Sequence, residues 1–273
     1  MHTESAMTTL TFASWNVNSL KVRLAHVVDW LERSGADALA LQETKLVDSA
    51  FPRDAFAEAG FDAFVFGQKT YNGVALLVRR ETLEASDPVY GIPGYPDPQR
   101  RLVGATLTPK AGGEPIRFLG GYFPNGAELG AARYLYKLDW IAALVRALPE
   151  MLRATPRLIL GGDFNIAPTD ADLYDPEGWA GGILCSAPER RALEALLSLG
   201  LADSYRLFAQ PERTYSWWDY RRKAFEENKG VRIDLLLVSE ALRAAVRAAG
   251  IDAAPRALAQ PSDHAPVWVK VQA

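Results

Sequence analysis

The sequence predicts an α/β fold in which two β-sheets pack face to face with helices outside. Three observations lead there. Short apolar runs rich in β-branched residues recur along all 273 residues. Several are apolar at consecutive positions, as strands buried on both faces are. Helical periods lie between some of them, yet hairpin-like neighbours also occur, such as 74–78 followed by 102–107. A single doubly wound parallel sheet fits that mixture less well than two packed sheets.

Taken in order, the first strand covers 10–15 and runs into Asn16 and Asn18. Leu24, Val28 and Leu31 then repeat at helical spacing. The second strand, 38–41, ends in Gln42-Glu43. Strands follow at 74–78 and 102–107, and the Pro-, Gly- and Asp-rich segment 87–99 reads as a surface loop. The run 116–122 ends in Tyr122. Tyr134, Leu138, Ile141, Val145 and Leu148 hold a helical period over the next stretch. The strand 158–160 leads into Asp163 and Asn165, and 170–188 reads as a second surface loop. Ser186-Ala-Pro-Glu189 is a capping box for a helix with Leu193, Leu196 and Leu197 on its apolar face and Gly200 at its end. Asp234 lies in the run 233–238, and Asp263-His264 precede 267–271. Segments 11–18 and 158–165 echo each other faintly, too little to establish a repeat. No linker-like composition shift is found, so 10–273 reads as one domain. Residues 1–9 read as a poorly ordered tail, with Met7 an alternative start.

Composition narrows the function classes. Lys and Arg number 30 against 33 Asp and Glu, a net charge of -3, so no global basic field attracts nucleic acid or anionic membrane. Composition alone therefore points to a small-molecule enzyme. Cys185 is the only cysteine, which excludes an intrachain disulfide and a cysteine-rich zinc site and fits a reducing compartment. The polar N-terminus does not read as a signal peptide, and no stretch approaches the ~18 to 20 apolar residues of a membrane span. The expectation is a cytoplasmic protein without a membrane partner.

The polar residues are oddly placed. Strand ends should carry turn formers, and any single Asn or Asp there is most simply a cap. Here strand ends repeatedly carry carboxylates, amides or His: Asn16 and Asn18, Glu43, Tyr122, Asp163 and Asn165, Asp234, Asp263 and His264. If they converge on one rim, carboxylates and amides without cysteine make a hard-oxygen site suited to Mg²⁺, Mn²⁺ or Ca²⁺ rather than zinc. Such ions typically serve phosphoryl chemistry. A His can bond the phosphate while a neighbouring Asp fixes its tautomer, and a second Asp can orient or deprotonate a water. No nucleotide-binding Gly-x-x-x-x-Gly-Lys-Ser/Thr loop is present, which favours phosphoester hydrolysis.

Several motifs occur in order: Ser14-Trp-Asn-Val-Asn-Ser-Leu20, Leu41-Gln-Glu-Thr-Lys45, Tyr71-Asn-Gly-Val-Ala75, Gln99-Arg-Arg101, Gly121-Tyr-Phe-Pro-Asn125, Gly162-Asp-Phe-Asn-Ile166, Arg232-Ile-Asp-Leu-Leu236 and Ser262-Asp-His-Ala-Pro266. Together they resemble the exonuclease III family of abasic-site endonucleases. The resemblance implies a four-layer α/β sandwich of the DNase I-like kind. It implies Glu43 as the metal residue, Asn16 beside it and Asp263 supporting it, with Mg²⁺ as cofactor and Mn²⁺ able to substitute. Asp163, helped by Asn165, would orient or deprotonate the attacking water. His264, held by Asp234, would contact the scissile phosphate, and Tyr122 would stabilise the transition state or the leaving oxygen. Tyr71, Arg101 and Asn125 would grip backbone phosphates, and Trp217 would line a pocket for a flipped-out abasic sugar. Asn18 and Arg221 join the DNA-contacting set. Val231 stands where relatives carry a larger Leu or Trp, which bears on the balance of endonuclease and exonuclease activity.

A nuclease of net negative charge must concentrate its cations. Candidates are Lys69, Arg100-Arg101 and Arg221-Arg-Lys223, the last beside Tyr215, Trp217, Trp218 and Tyr220. The expected partner is duplex DNA bearing abasic sites or 3′ ends, acted on by a monomer. Two other readings share the fold: a non-catalytic regulator like the catabolite-repression-control proteins, and a phosphatase of lipid or inositol phosphates. The first is disfavoured because Glu43, Asp163, Asn165, Asp263 and His264 are all retained.

Overall fold

Strand formation follows the apolar runs. In the computed structural model, which describes residues 8–273, every run named above is a strand. The chain order is β1 (Thr9–Asn16), α1 (Leu20–Ser34), β2 (Ala38–Gln42), α2 (Arg53–Glu58), β3 (Phe61–Phe66), β4 (Val74–Arg79), β5 (Leu83–Tyr90), β6 (Leu102–Pro109), β7 (Ile116–Tyr122), α3 (Ala132–Ala154) and β8 (Leu158–Asp163). There follow α4 (Pro176–Trp179), α5 (Ala187–Leu197), β9 (Leu201–Asp203), β10 (Asp234–Ser239), α6 (Glu240–Arg243), β11 (Val246–Ile251) and β12 (Val267–Gln272). The strands form two six-stranded sheets, ordered β11-β12-β1-β2-β4-β3 and β5-β6-β7-β8-β10-β9. Each is mixed, with one parallel pair near its centre, β1–β2 and β7–β8.

Alternation along each strand builds the layers. Inner-face residues such as Phe12, Ala40, Val103, Phe118, Ile159 and Leu236 form the core between the sheets. The opposite faces bury Trp15, Leu39 and Leu41 against α1 and α2, and Leu119, Leu158 and Leu160 against α3 and α5. The result is a four-layer α/β/β/α sandwich. Among the described residues no helix is long and apolar enough to cross a membrane.

Some expectations need correction. Residues 1–7 of the expected tail lie outside the described residues, and Thr9 belongs to β1, paired with Gln272. The runs 74–78 and 102–107 are not hairpin partners. β4 pairs with β2 and β3 in one sheet, while β6 pairs with β5 and β7 in the other. The intervening β5 takes the place beside β6. Asp87 and Pro88, which give its second half a loop-like composition, interrupt it, and a register shift between Ser86 and Val89 absorbs them. Segment 170–188 contains α4 and the first two residues of α5. In α3 the expected stripe holds at Tyr134, Ile141 and Leu148, but Leu138 and Val145 are half-buried and Lys137, Trp140 and Leu144 are buried instead.

The sheets approach closely next to one rim because the inner-face residues there are small. A Cβ built on Gly120 of β7 would lie 2.5 Å from the Ala40 Cβ of β2, and one on Gly161 of β8 would lie 3.6 Å from the Ser14 Cβ of β1. Gly120→Ala is therefore expected to push the sheets apart at this rim and cost about 2 kcal/mol, read as a lower midpoint in urea unfolding. An unchanged midpoint would show that the approach tolerates an added methyl group.

Candidate active site

The register fixes which strand ends meet. Asn16 lies opposite Gln42 in one sheet, while Tyr122 and Asp234 both lie opposite Asp163 in the other. Asn16, Tyr122, Asp163 and Asp234 are on inner faces, so the two rims present their polar ends to one another. The buried amide of Asn16 bridges them. Its Nδ2 donates to Glu43 Oε1 at 3.0 Å and across the sheets to Asp163 Oδ2 at 3.0 Å. The Asn16 Oδ1 accepts from the Asn18 backbone N–H, so Asn16 offers Glu43 a donor rather than a ligand oxygen.

Glu43 Oε1 also accepts from the Tyr122 hydroxyl at 2.9 Å, and Glu43 Oε2 pairs with the Lys45 ammonium at 3.0 Å. Lys45 donates as well to Asn18 Oδ1 at 2.5 Å. Asp163 is held from three directions. The Asn165 backbone N–H donates to its Oδ1, while Asn16 and the Asn165 amide donate to its Oδ2. Asn125 Nδ2 donates to Asn165 Oδ1 at 2.9 Å. His264 Nδ1 lies 2.8 Å from Asp234 Oδ2, and its Nε2 faces Asp163 at 3.7 Å.

The surroundings lock these groups. Ser262 Oγ donates to the Asn16 carbonyl and accepts from the His264 N–H, and Trp15 Nε1 donates to the His264 carbonyl. Ser216 Oγ accepts from the N–H groups of Ile233 and Asp234. Just before β10, buried Arg232 pairs with Asp172 and Asp203, which together hold its pKa above the ordinary arginine value despite burial. The carboxylate of Asp263 accepts from Trp217 Nε1 at 3.0 Å and from Asn18 Nδ2 at 3.1 Å.

The remaining expected residues fall into two groups. Tyr71, Arg101 and Asn125 line one groove of about 500 Å³ beside Tyr122, with Gln68, Arg133 and Tyr136. Arg101 is buried, stacks on Tyr122 and donates to the Tyr122 carbonyl, whereas Tyr71 is 68% exposed. Arg221 sits apart, its guanidinium held by Asp219. Val231 is fully buried among Leu173, Cys185, Ile233 and Trp217, so it shapes any pocket wall from behind. Sequence reasoning gave no role to Lys45, Arg133, Lys137 or Ser262. The motif residues Lys45 and Ser262 were in view, but their contacts depend on side-chain direction.

Electrostatics follow from burial. Desolvation raises the Asp163 carboxyl from 3.8 to about 7, with the neighbouring His264 opposing and Asp234 adding to the rise. Burial alone would lower His264, but the flanking carboxylates of Asp234 and Asp163 lift it from 6.5 to about 10. Burial and the charge of Glu43 push the Tyr122 phenol well above its ordinary value, so Tyr122 is a proton donor near neutrality. Among the described residues, Asp163, Asp234 and His264 form a buried group whose candidate ligand atoms lie within 4.8 Å of one another. Since Asp234 already engages His264, the remaining hard-oxygen donors are Glu43 and Asp163, joined through Asn16. Carboxylate oxygens without a cysteine ligand make a donor set that fits a hard divalent ion.

Comparison with known proteins places this geometry among relatives. The model of the Endonuclease/Exonuclease/phosphatase family matches residues 13–264. The chain is 34% identical over 271 residues to an exodeoxyribonuclease III of Haemophilus influenzae, covering 95% of this chain and 98% of that protein. It is similar to a Neisseria 3′ phosphatase, NExo, solved with a product DNA hairpin, at 42% identity and TM-score 0.90 over 97% of this chain and 100% of that one. An AP endonuclease from Archaeoglobus fulgidus is 31% identical with TM-score 0.87, over 95% and 98% of the two chains.

A His264 that titrates at about 10 in the folded chain, against 6.5 ordinarily, stabilises the fold fully below pH 6.5 and loses that contribution as pH rises to about 10. Asp163, raised from 3.8 to about 7, acts in the same direction over the lower window. In chelator-treated protein, stability is expected to fall from about pH 4 to about pH 10, with Asp163 acting in the lower part of the window and His264 in the upper part. His264→Gln should flatten the upper half of that profile in thermal melts. A parent whose melting temperature does not fall over this range would contradict the assignment.

Proposed function

The chain belongs to the endonuclease/exonuclease/phosphatase family, and we propose that it is a divalent-metal-dependent DNA-repair phosphodiesterase. It hydrolyses the phosphodiester 5′ of abasic sites in duplex DNA, and works at 3′ ends as a 3′-5′ exonuclease and 3′ phosphatase. One observation carries this reading: a buried carboxylate, Asp163, faces an Asp234-anchored His264 and is joined through Asn16 to Glu43. The named activities of the relatives support it.

Glu43 would hold the metal, Mg²⁺ with Mn²⁺ able to substitute, Asp163 lies within reach, and Asp263 supports the site through Asn18. When bound, the ion offsets charge on the phosphate oxygens. Asp163 orients and deprotonates the attacking water, its carboxylate aimed by Asn16 and Asn165. His264, kept protonated by the carboxylates of Asp234 and Asp163, donates through Nε2 to a non-bridging oxygen while its Nδ1–H donates to Asp234. Tyr122, held neutral, donates to the developing charge on the phosphoryl group or the leaving oxygen.

Tyr71, Arg101 and Asn125 bind backbone phosphates along the groove, and Trp217 lines the sugar pocket beside Asp263. Asn18, bonded to Asp263 and Lys45, and Arg221 add outer contacts to the DNA. The protein acts as a cytoplasmic monomer built as one catalytic domain. Its 42% identity to the Neisseria 3′ phosphatase, against 31% to the Archaeoglobus AP endonuclease, favours strong activity at 3′ ends.

Single-turnover assays on an abasic duplex and on a duplex with a 3′-phosphate test the reading, each with and without EDTA. Metal-dependent turnover of both is expected. Asp163→Asn and His264→Ala should each lose roughly 10³-fold or more in rate with little change in DNA affinity. Turnover that persists in EDTA, or that neither substitution affects, would sink the proposal. Turnover of the 3′-phosphate duplex alone would narrow the activity to 3′ ends.

A further inference from the structure

We propose that Lys137 is a positioning residue for this reaction: its buried ammonium fixes the backbone of the two loops that follow β7 and β8, and through Asn165 it sets the carboxylate of Asp163. The inference rests on the catalytic reading of Asp163 and Asn165 above. Lys137 lies on the apolar stripe of α3, and both it and its partner Glu189 are fully buried. Such a pair is poor stabilisation, since well-packed apolar residues commonly do as well or better. Its presence calls for another role, and the hydrogen bonds supply one.

An ammonium has three donors, and all three are used here. Lys137 donates to the Asn165 carbonyl at 2.7 Å, to the Asn125 carbonyl at 3.3 Å and to the Glu189 carboxylate. The two carbonyls belong to the residues whose side chains bond each other at the site. Asn165 has a left-handed backbone, with φ of 50°, and its carbonyl points inward to the lysine. That conformation sends the same residue's amide to Asp163 Oδ2 and to the Phe123 carbonyl. Glu189 is itself immobilised by the N–H groups of Leu184 and Ser186 and by the Ser186 hydroxyl. Lys137 thus ties a rigid helix cap to the backbone that aims the proposed base. An apolar replacement would leave both carbonyls without that donor.

The test compares Lys137→Met, Asn165→Ala and their combination in single-turnover incision and DNA binding. The pair variant Lys137→Met/Glu189→Gln removes both charges without stranding one. Lys137→Met and the pair variant should melt cooperatively, bind DNA within about 3-fold of the parent and lose roughly 100-fold in kcat. Adding Lys137→Met to Asn165→Ala should cost little more, because the lysine acts through that residue. Parental kcat in the folded lysine variants, a loss confined to KM, or losses that multiply in the combination would each overturn the proposal. If Lys137→Met does not fold, the pair variant decides; failure of both to fold makes the pair a stability element and also overturns it. Asn165→Ala at the parental rate refutes the catalytic reading itself, and the positioning role with it.

Discussion

The structure depends on one close approach, where the two sheets come near enough at their rim for a single asparagine amide to join them. Packed sheets ordinarily stand about 10 Å apart, too far for short polar side chains to meet. Here Ser14 and Ala40 in one sheet face Gly120 and Gly161 in the other, and Asn16 reaches Asp163 directly. Without that approach, Glu43 and Asp163 would sit on separate sheet edges with no fixed relation. Gly120 and Gly161 are therefore spacing elements that bring the two sheets' polar rims together.

That approach also buries charge, and the surroundings answer it with donors. Asp163 accepts from Asn16 and twice from Asn165, Asp263 from Trp217 and Asn18, and Glu43 from Asn16, Tyr122 and Lys45. These donors are in place before any substrate arrives, so little reorganisation is needed at the moment of reaction. Even so, desolvation leaves Asp163 raised to about 7, the condition of a base poised near neutrality. The net charge of -3 is consistent with this economy: several acids are in the site, and the groove cations, Arg101 and Arg133, are few and local.

Much of this was legible from the chain. Strands with buried central residues announce themselves by apolar runs, and the strand-end carboxylates and His264 all reach one rim, the condition on which the sequence reading of a hard-oxygen site depended. The sequence hid features set by tertiary context. β9 is three residues long, β5 is broken by Asp87-Pro88, and β11 is rich in alanine and glycine, so none carries a strong periodic signal. Lys137 defeats helical patterning because its charge is neutralised by Glu189, 52 residues further along the chain. The pairing of Arg221 with Asp219, two residues away, depends on side-chain direction that the sequence does not give.

Glu43 shows why alternation alone does not give the site. Leu41 packs outward against the helical layer, and Gln42 turns inward to Ser14. Continued as strand, residue 43 would point back toward the helices and away from the cleft. The chain leaves the strand there, and Glu43 takes a left-handed backbone with φ of 53°, a conformation uncommon for a residue of its kind. The kink turns its carboxylate inward to Asn16 and Tyr122. It persists because the backbone beyond it is clamped: the Ser19 N–H donates to the Glu43 carbonyl, and the Thr44 and Lys45 N–H groups donate to the Gly73 and Asn72 carbonyls. Asn18 and Asn165 share the left-handed conformation at the ends of the two strands that meet through Asn16, and asparagine tolerates it best of the non-glycine residues. Local strain at these positions is thus the means by which the inward-facing set is extended past the last strand residue.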